Sequence, residues 1–323
     1  MTASPQSAEL RSLQTEELLH KFRQVAQVSF GLVLIYLFFW LMTPGFRSID
    51  TLIIILNQAT ILAILACGTT VVLISGGLDL SVGSIFAVVS VTVGILLKDY
   101  GLPVWISIVA ALLLGTACGA LNGIIQVVSR VPAFIVTLGG LTAYKGLAEL
   151  LGAGRDLSRF PDAFKAIGSG WIFAVSLMLI VATIVWLFLT RTKLGNHAYA
   201  IGGNEEVARV SGINVARSRV IYYAIGGLCA AIAAIVQVSR LDFANSARGQ
   251  SYELLAIAAV VIGGTSLFGG RGGVFRTIIG MLIIQTIIVG LAFMGVGSAV
   301  QRIAIGIIII LAVFLDVWQR KAT

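Results

Sequence analysis

From residue 25 onward the chain alternates long apolar runs with short polar breaks. Ile53 to Ile74, Val104 to Val128 and Trp171 to Leu189 contain no charged residue. Each holds about 18 residues or more, enough for a helix to cross roughly 30 Å of hydrocarbon. Polar breaks and Gly/Pro punctuation predict spans near 25–43, 52–75, 82–97, 103–127, 133–150, 171–190, 217–238, 252–268, 274–293 and 299–317. The fold class is therefore all-α, a polytopic transmembrane helix bundle of about ten spans. The third and eighth runs are short for a full crossing, so either could be broken or re-entrant, and eight full spans satisfy the same pattern. The transmembrane domain is expected over 25–318, between an N-terminal segment 1–24 and a tail 319–323. Residues 1–24 are polar, include Pro5, Glu9, Glu16, Glu17 and Lys21, and have no apolar core leading to a small-residue cleavage site. They read as a retained segment, with a short amphipathic helix as one option, and Val25 to Met42 as a start-transfer helix.

Composition supports lipid as the main solvent. Of 323 residues 58% are hydrophobic and 11% charged, against roughly a quarter charged in soluble domains. A formal charge of +8 raises nucleic acid as a partner. The basic residues lie between spans, without a patch interleaved with aromatics, so no nucleic-acid binding is expected. Cys67, Cys118 and Cys229 fall inside apolar runs without paired spacing and read as small buried residues. His20 and His197 are far apart and no HExxH occurs, so neither a metal site nor a cofactor is expected. The 36 glycines point to close helix packing. With the N-terminus inside, the larger share of the 22 basic residues falls on the cytoplasmic side, among them Arg130, Arg191, Lys193, Arg209, Arg217, Arg219, Arg271 and Arg276. Both termini are then cytoplasmic.

Two loops exceed what a bundle turn needs. Gly152 to Gly170 faces outward in this topology and could cap a pathway or meet an external partner. The inward loop, 190–216, contains LGNHAYAIGGNEEVARVSGINV from Leu194 to Val215. Gly203 and Asn204 punctuate it, Asn204 can cap a helix, and Glu205 and Glu206 fall in the first turn, opposing the positive end of the helix dipole. Arg209 follows Glu205 at i+4, and Gly212 ends the segment as a left-handed cap would. A short capped helix between two spans is a rigid lever suited to docking in another protein's groove.

This stretch resembles the cytoplasmic coupling segment of ATP-binding-cassette importer permeases. Their EAA-x-x-x-G pattern is approximated by Glu206, Val207, Ala208 and Gly212, and its later Ile-x-Leu-Pro part is missing here. The wording GGNEEVARVSGINV is similar to the ribose, xylose, arabinose and galactose permease branch, which includes an autoinducer importer. ISGGLDLSVGSI, from Ile74 to Ile85, resembles the SGGIDLSVG signature of that branch, and YELLAIAAVVIGGTSLFGGRGGVF, from Tyr252 to Phe275, its YELxAIAAVVxGGTSLxGGxG signature. Together the resemblances cover the chain from about residue 45 to the end. They imply a permease subunit translocating a monosaccharide, a ribose-like pentose first, in a bacterial inner membrane. They also imply three partners: a cytoplasmic ATPase subunit, a periplasmic sugar-binding protein and a second permease copy.

The residues add their own chemistry. The third stretch is Gly-rich, but no GxxxxGK followed by Ser or Thr occurs in the chain, so no ATPase site is expected. Asp79 lies among Gly76, Gly77 and Gly83, where the Ser81 and Ser84 hydroxyls can satisfy backbone or carboxylate groups; a capped hairpin and a transport role both fit. Lys145 and Glu149, spaced i,i+4, predict an ion pair inside a span. Asn57, Gln58, Asp79, Asn122 and Glu253 are the candidate substrate pathway, since they offer the donors and acceptors that sugar hydroxyls require. Gly203, Asn204, Glu205, Glu206, Arg209 and Gly212 are the candidate coupling site. An ion-coupled secondary transporter of a small polar solute is the competing class.

Overall fold

The computed structural model describes residues 25–321. The expectation of a cytoplasmic segment over 1–24 lies outside the described residues, as do the last two residues of the 319–323 tail.

Each predicted span contains a helix. These are α1 (Val25–Met42), α2 (Ile49–Ile74), α3 (Val82–Lys98), α4 (Val104–Ser129), α5 (Ala133–Gly152), α7 (Trp171–Arg191), α10 (Val215–Leu241), α11 (Tyr252–Ile262), α12 (Val274–Phe293) and α13 (Ser298–Lys321). Three short helices join them: α6 (Asp162–Gly168), α8 (Lys193–Gly203) and α9 (Glu205–Val210). Seven of the helices are long and apolar enough to cross a membrane: α1, α2, α4, α5, α7, α10 and α12. Local chemistry sets their ends. Ser48 Oγ accepts the Thr51 amide at 3.2 Å to start α2, while α4 and α5 begin directly after Pro103 and Pro132 and end on left-handed Arg130 and Ala153.

Among those seven, α2, α10 and α12 are the most buried, and α10 packs most extensively on α4 and α2. Small residues allow this. A Cβ on Gly119 of α4 would overlap the Tyr223 carbonyl of α10, and one on Gly115 would come within 2.7 Å of the Gly227 carbonyl. With no hydrophobic force between helices in lipid, such close backbone approach supplies much of the attraction.

The third and eighth crossings are broken. Helix α3 has 17 residues and is entered through a turn at 75–81, while α11 has only 11. The predicted 252–268 span is helical only over Tyr252–Ile262: residues after Ile262 are turns, and the stretch before α11 is a two-residue strand followed by turns. That stretch leaves α10, pairs β2 (Phe243–Ala244) antiparallel with β1 (Leu157–Ser158), and runs inward until Gly249 meets Gly83 at the start of α3. Non-helical backbone at such depth is tolerated where protein buries it or water lines it.

Candidate functional site

The loop between α7 and α10 folds into two helices, not one. Thr192 Oγ1 accepts the Gly195 amide at 3.0 Å and starts α8, an element whose signal was the apolar spacing of Leu194, Ala198 and Ile201. The Tyr222 hydroxyl donates to the Leu194 carbonyl at 2.7 Å, and Tyr199 donates to the Gly272 carbonyl at 3.2 Å. Burial pushes the Tyr199 phenol up from its ordinary value, which keeps it a donor. Asn204, extended at φ −159°, ends α8 and caps α9 by accepting the Val207 amide at 3.0 Å. Gly212, at φ +85°, closes the turn after α9.

Glu205 points inward. Its carboxylate takes Arg209 at 2.6 Å and also Arg219 of α10, so it staples α9 to the next span. The outward face of α9 consists of Glu206, Val207 and Val210, all exposed, the last at 84%. The two valines are apolar in a polar loop; the sequence pattern included Val207 but not Val210, and gave neither an outward contact.

The three signature stretches meet at one glycine junction. A Cβ on Gly202 would overlap the Ile74 carbonyl and lie 2.5 Å from the Gly270 amide nitrogen. That amide donates to the Ile74 carbonyl at 2.9 Å. Gly269, at φ +90°, has Gly76 on one side and Gly202 on the other, with a Cβ position 2.8 Å and 2.9 Å from their Cα atoms. The end of α8, the α2–α3 turn and the α11–α12 loop are thus in backbone contact, which no residue with a side chain would permit at these positions.

Just beyond that junction lies Asp79, fully buried. Its Oδ1 accepts the Ser81 amide at 2.8 Å and the Ser81 hydroxyl at 2.6 Å. Oδ2 has no partner. Asn122 of α4 donates to Ser81 Oγ at 2.7 Å, Tyr144 of α5 donates to Asn122 Oδ1 at 3.1 Å, and Tyr223 of α10 and Thr137 of α5 donate to the Leu78 carbonyl. The turn is knotted to three spans, with the carboxylate inside the knot.

The five pathway candidates do not gather. Asp79 and Asn122 belong to this knot. Asn57 accepts Arg240 through its carbonyl at 2.6 Å and its Oδ1 at 2.9 Å, and Gln58 accepts Gln285 at 2.6 Å; both tie α2 to other helices. Glu253 stands apart, half-buried in a crevice of about 310 Å³. Lys145 and Glu149 line the same crevice. Contrary to expectation, no ion pair joins those two among the described residues: both side chains open into the crevice. A larger crevice of about 820 Å³ lies under α9, lined by Arg130, Arg209, Arg219 and Glu205. Cys67, Cys118 and Cys229 are buried free thiols, and among the described residues no three His, Cys, Asp or Glu side chains come together.

Residues 51–313 match the family described as branched-chain amino acid transport system / permease component. The chain belongs to that family. The permease is 38% identical over 301 residues to a ribose import permease of Haemophilus influenzae, covering 90% of this chain and 93% of the relative. It is 40% identical over 285 residues to the ribose import permease of Escherichia coli strain K12, covering 85% and 88%. It is 32% identical to a xylose transport system permease of Haemophilus influenzae, covering 92% and 97%. No solved structure matches. The two crevices lie apart: one under the capped helix α9, the other, charged, among the spans.

Proposed function

We propose that this permease is the translocation subunit of an ATP-driven importer for a monosaccharide, ribose first, in a bacterial inner membrane. The observation that carries the reading is the glycine junction. An exposed, doubly capped helix is joined by backbone contact to the turns that break two membrane crossings, so a push on α9 reaches the membrane interior without passing through flexible side chains. The sugar follows from relatives named for ribose, allose and xylose.

The partners fit distinct surfaces. A cytoplasmic ATP-binding-cassette ATPase docks on Glu206, Val207 and Val210, where two exposed valines supply the apolar centre of a small interface. Asn204, Glu205, Arg209 and Gly212 shape and brace that helix, and Gly203 only leads into it. A periplasmic sugar-binding protein meets the opposite face, where α6 and the β1–β2 pair lie. A second permease copy lies along α5 and leaves Lys145 and Glu149 facing the crevice that they line, shielded from lipid, where a Lys- or Asp-like charge would cost about 2.5–3.5 kcal/mol. The permease itself carries no ATPase site. Both termini are cytoplasmic, since the coupling face collects Arg130, Arg191, Lys193, Arg209, Arg217 and Arg219.

The test is uptake of labelled ribose by proteoliposomes. Uptake is expected only with ATP inside and both the ATPase and the binding protein present, and it persists when ionophores collapse ion gradients. Ribose accumulation by the permease alone, driven by a sodium or proton gradient, would replace this reading with the ion-coupled one.

A further inference from the structure

We propose that the crevice between α3, α5 and the 246–253 stretch is a monosaccharide subsite carried by the permease itself, with Glu149, Glu253 and Lys145 as its hydroxyl-binding groups. The inference rests on the sugar-permease reading and adds the place where the sugar pauses between the binding protein and the opposite side of the membrane.

Four observations converge there. The crevice lies where the two broken crossings face each other, since Gly83 and Ser84 from the first turn of α3 and Ser251 and Glu253 from the start of α11 all line it. Interrupted helices at membrane depth expose unpaired backbone groups that a polar solute can use. The charged side chains are open: Lys145 and Glu149 are exposed, sit at a spacing that favours pairing, and are unpaired with each other. Carboxylates that accept and an ammonium that donates match the vicinal hydroxyls of a sugar ring, each of which does both. The inner wall is sealed, because a Cβ on Gly249 would overlap the Gly83 carbonyl and meet the Phe86 ring, and Phe86 in turn packs edge-on against Tyr252 at 5.2 Å. A volume of about 310 Å³ is at the small end for ligand sites, which suits one monosaccharide. Affinity there must be low, since a site on a transport path has to release what it binds.

The native thiols are buried, so a cysteine in place of Ala247, an exposed crevice residue, reports on occupancy. The Ala247→Cys permease, reconstituted without binding protein, is treated with a maleimide in the presence of ribose, xylose or allose, with the acyclic polyol mannitol as control. Millimolar ribose is expected to slow labelling and mannitol to leave it unchanged. In the Glu149→Gln and Lys145→Met backgrounds, the sugar concentration needed for half-protection is expected to rise about tenfold, as the loss of one charge-assisted hydrogen bond predicts. The ratio of rates with and without sugar is the readout, which cancels any direct effect of charge on the thiol. The same two substitutions in the assembled transporter, at saturating binding protein, are expected to weaken its discrimination between ribose and xylose. Labelling that no sugar slows, or protection that both substitutions leave intact, would overturn the subsite. If the wild-type transporter still imports ribose in that case, the permease reading stands; absent import with intact ATPase and binding protein defeats that reading instead. Protection appearing only when the binding protein is added shows that the crevice receives a segment of that protein, and the subsite is again overturned.

Discussion

A carboxylate sealed from water among apolar helices is costly unless something answers its charge. At Asp79 the answer is local and one-sided: Ser81 supplies two donors to Oδ1, and nothing meets Oδ2. The side chain's role is then to hold the turn by hydrogen bonds, and its charge is dispensable to the fold. Asp79→Asn keeps an acceptor for Ser81 and should unfold thermally at or above the wild-type temperature. Asp79→Ala leaves two buried donors unmatched and should lose about 1–3 kcal/mol. Equal losses in both variants would show that the charge itself matters. The Ser81 partnership was readable from the sequence, because it spans only two residues. The orphaned oxygen was not, because its surroundings come from α4, α5 and α10. Lys145 and Glu149 make the converse point: spacing brings them within reach, and a water-accessible crevice lets each stand apart.

Adjacent glycines in α8 separate packing from mere flexibility at the scale of elements. Gly202 is pressed against the end of α2 and the α11–α12 loop, whereas a Cβ on Gly203 would meet nothing within 4 Å. Gly202→Ala should wedge the junction apart at an overpacking cost of about 1–3 kcal/mol. The variant should still insert, since no apolar span changes, and should still bind the ATPase, yet lose most substrate-stimulated ATP hydrolysis and transport. Gly203→Ala should behave as wild type. Equal activity of the two variants would remove the junction from the coupling route. The sequence made α9 legible through Asn204, the two glutamates and Gly212, all within nine residues. It did not show that Glu205 is tied to Arg219, fourteen residues away on α10.

On the proposed topology ten helical segments, the third and eighth of them broken by turns, carry the permease through the membrane. The coupling face and the α6 face then lie on opposite sides. In intact cells Ala163→Cys on α6 should react with an impermeant maleimide, and Val210→Cys on α9 only after permeabilisation. The reverse pattern would invert the topology and with it the assignment of both docking faces. Native cysteines are buried and should give little background.

Hydropathy, caps and turn residues act over a few positions, so the sequence alone placed nearly every apolar helix, ended most helices correctly and located the capped helix α9. Tertiary structure decided what depends on approach between distant segments. It brought three glycine-rich stretches into one junction, cut the eighth run to the 11 residues of α11 with turns on either side, and dispersed the five pathway candidates among bundle ties, a buried knot and a crevice. The physical reason is that a glycine's effect in such contacts lies in what its missing side chain admits, and only the fold says which backbone comes that close.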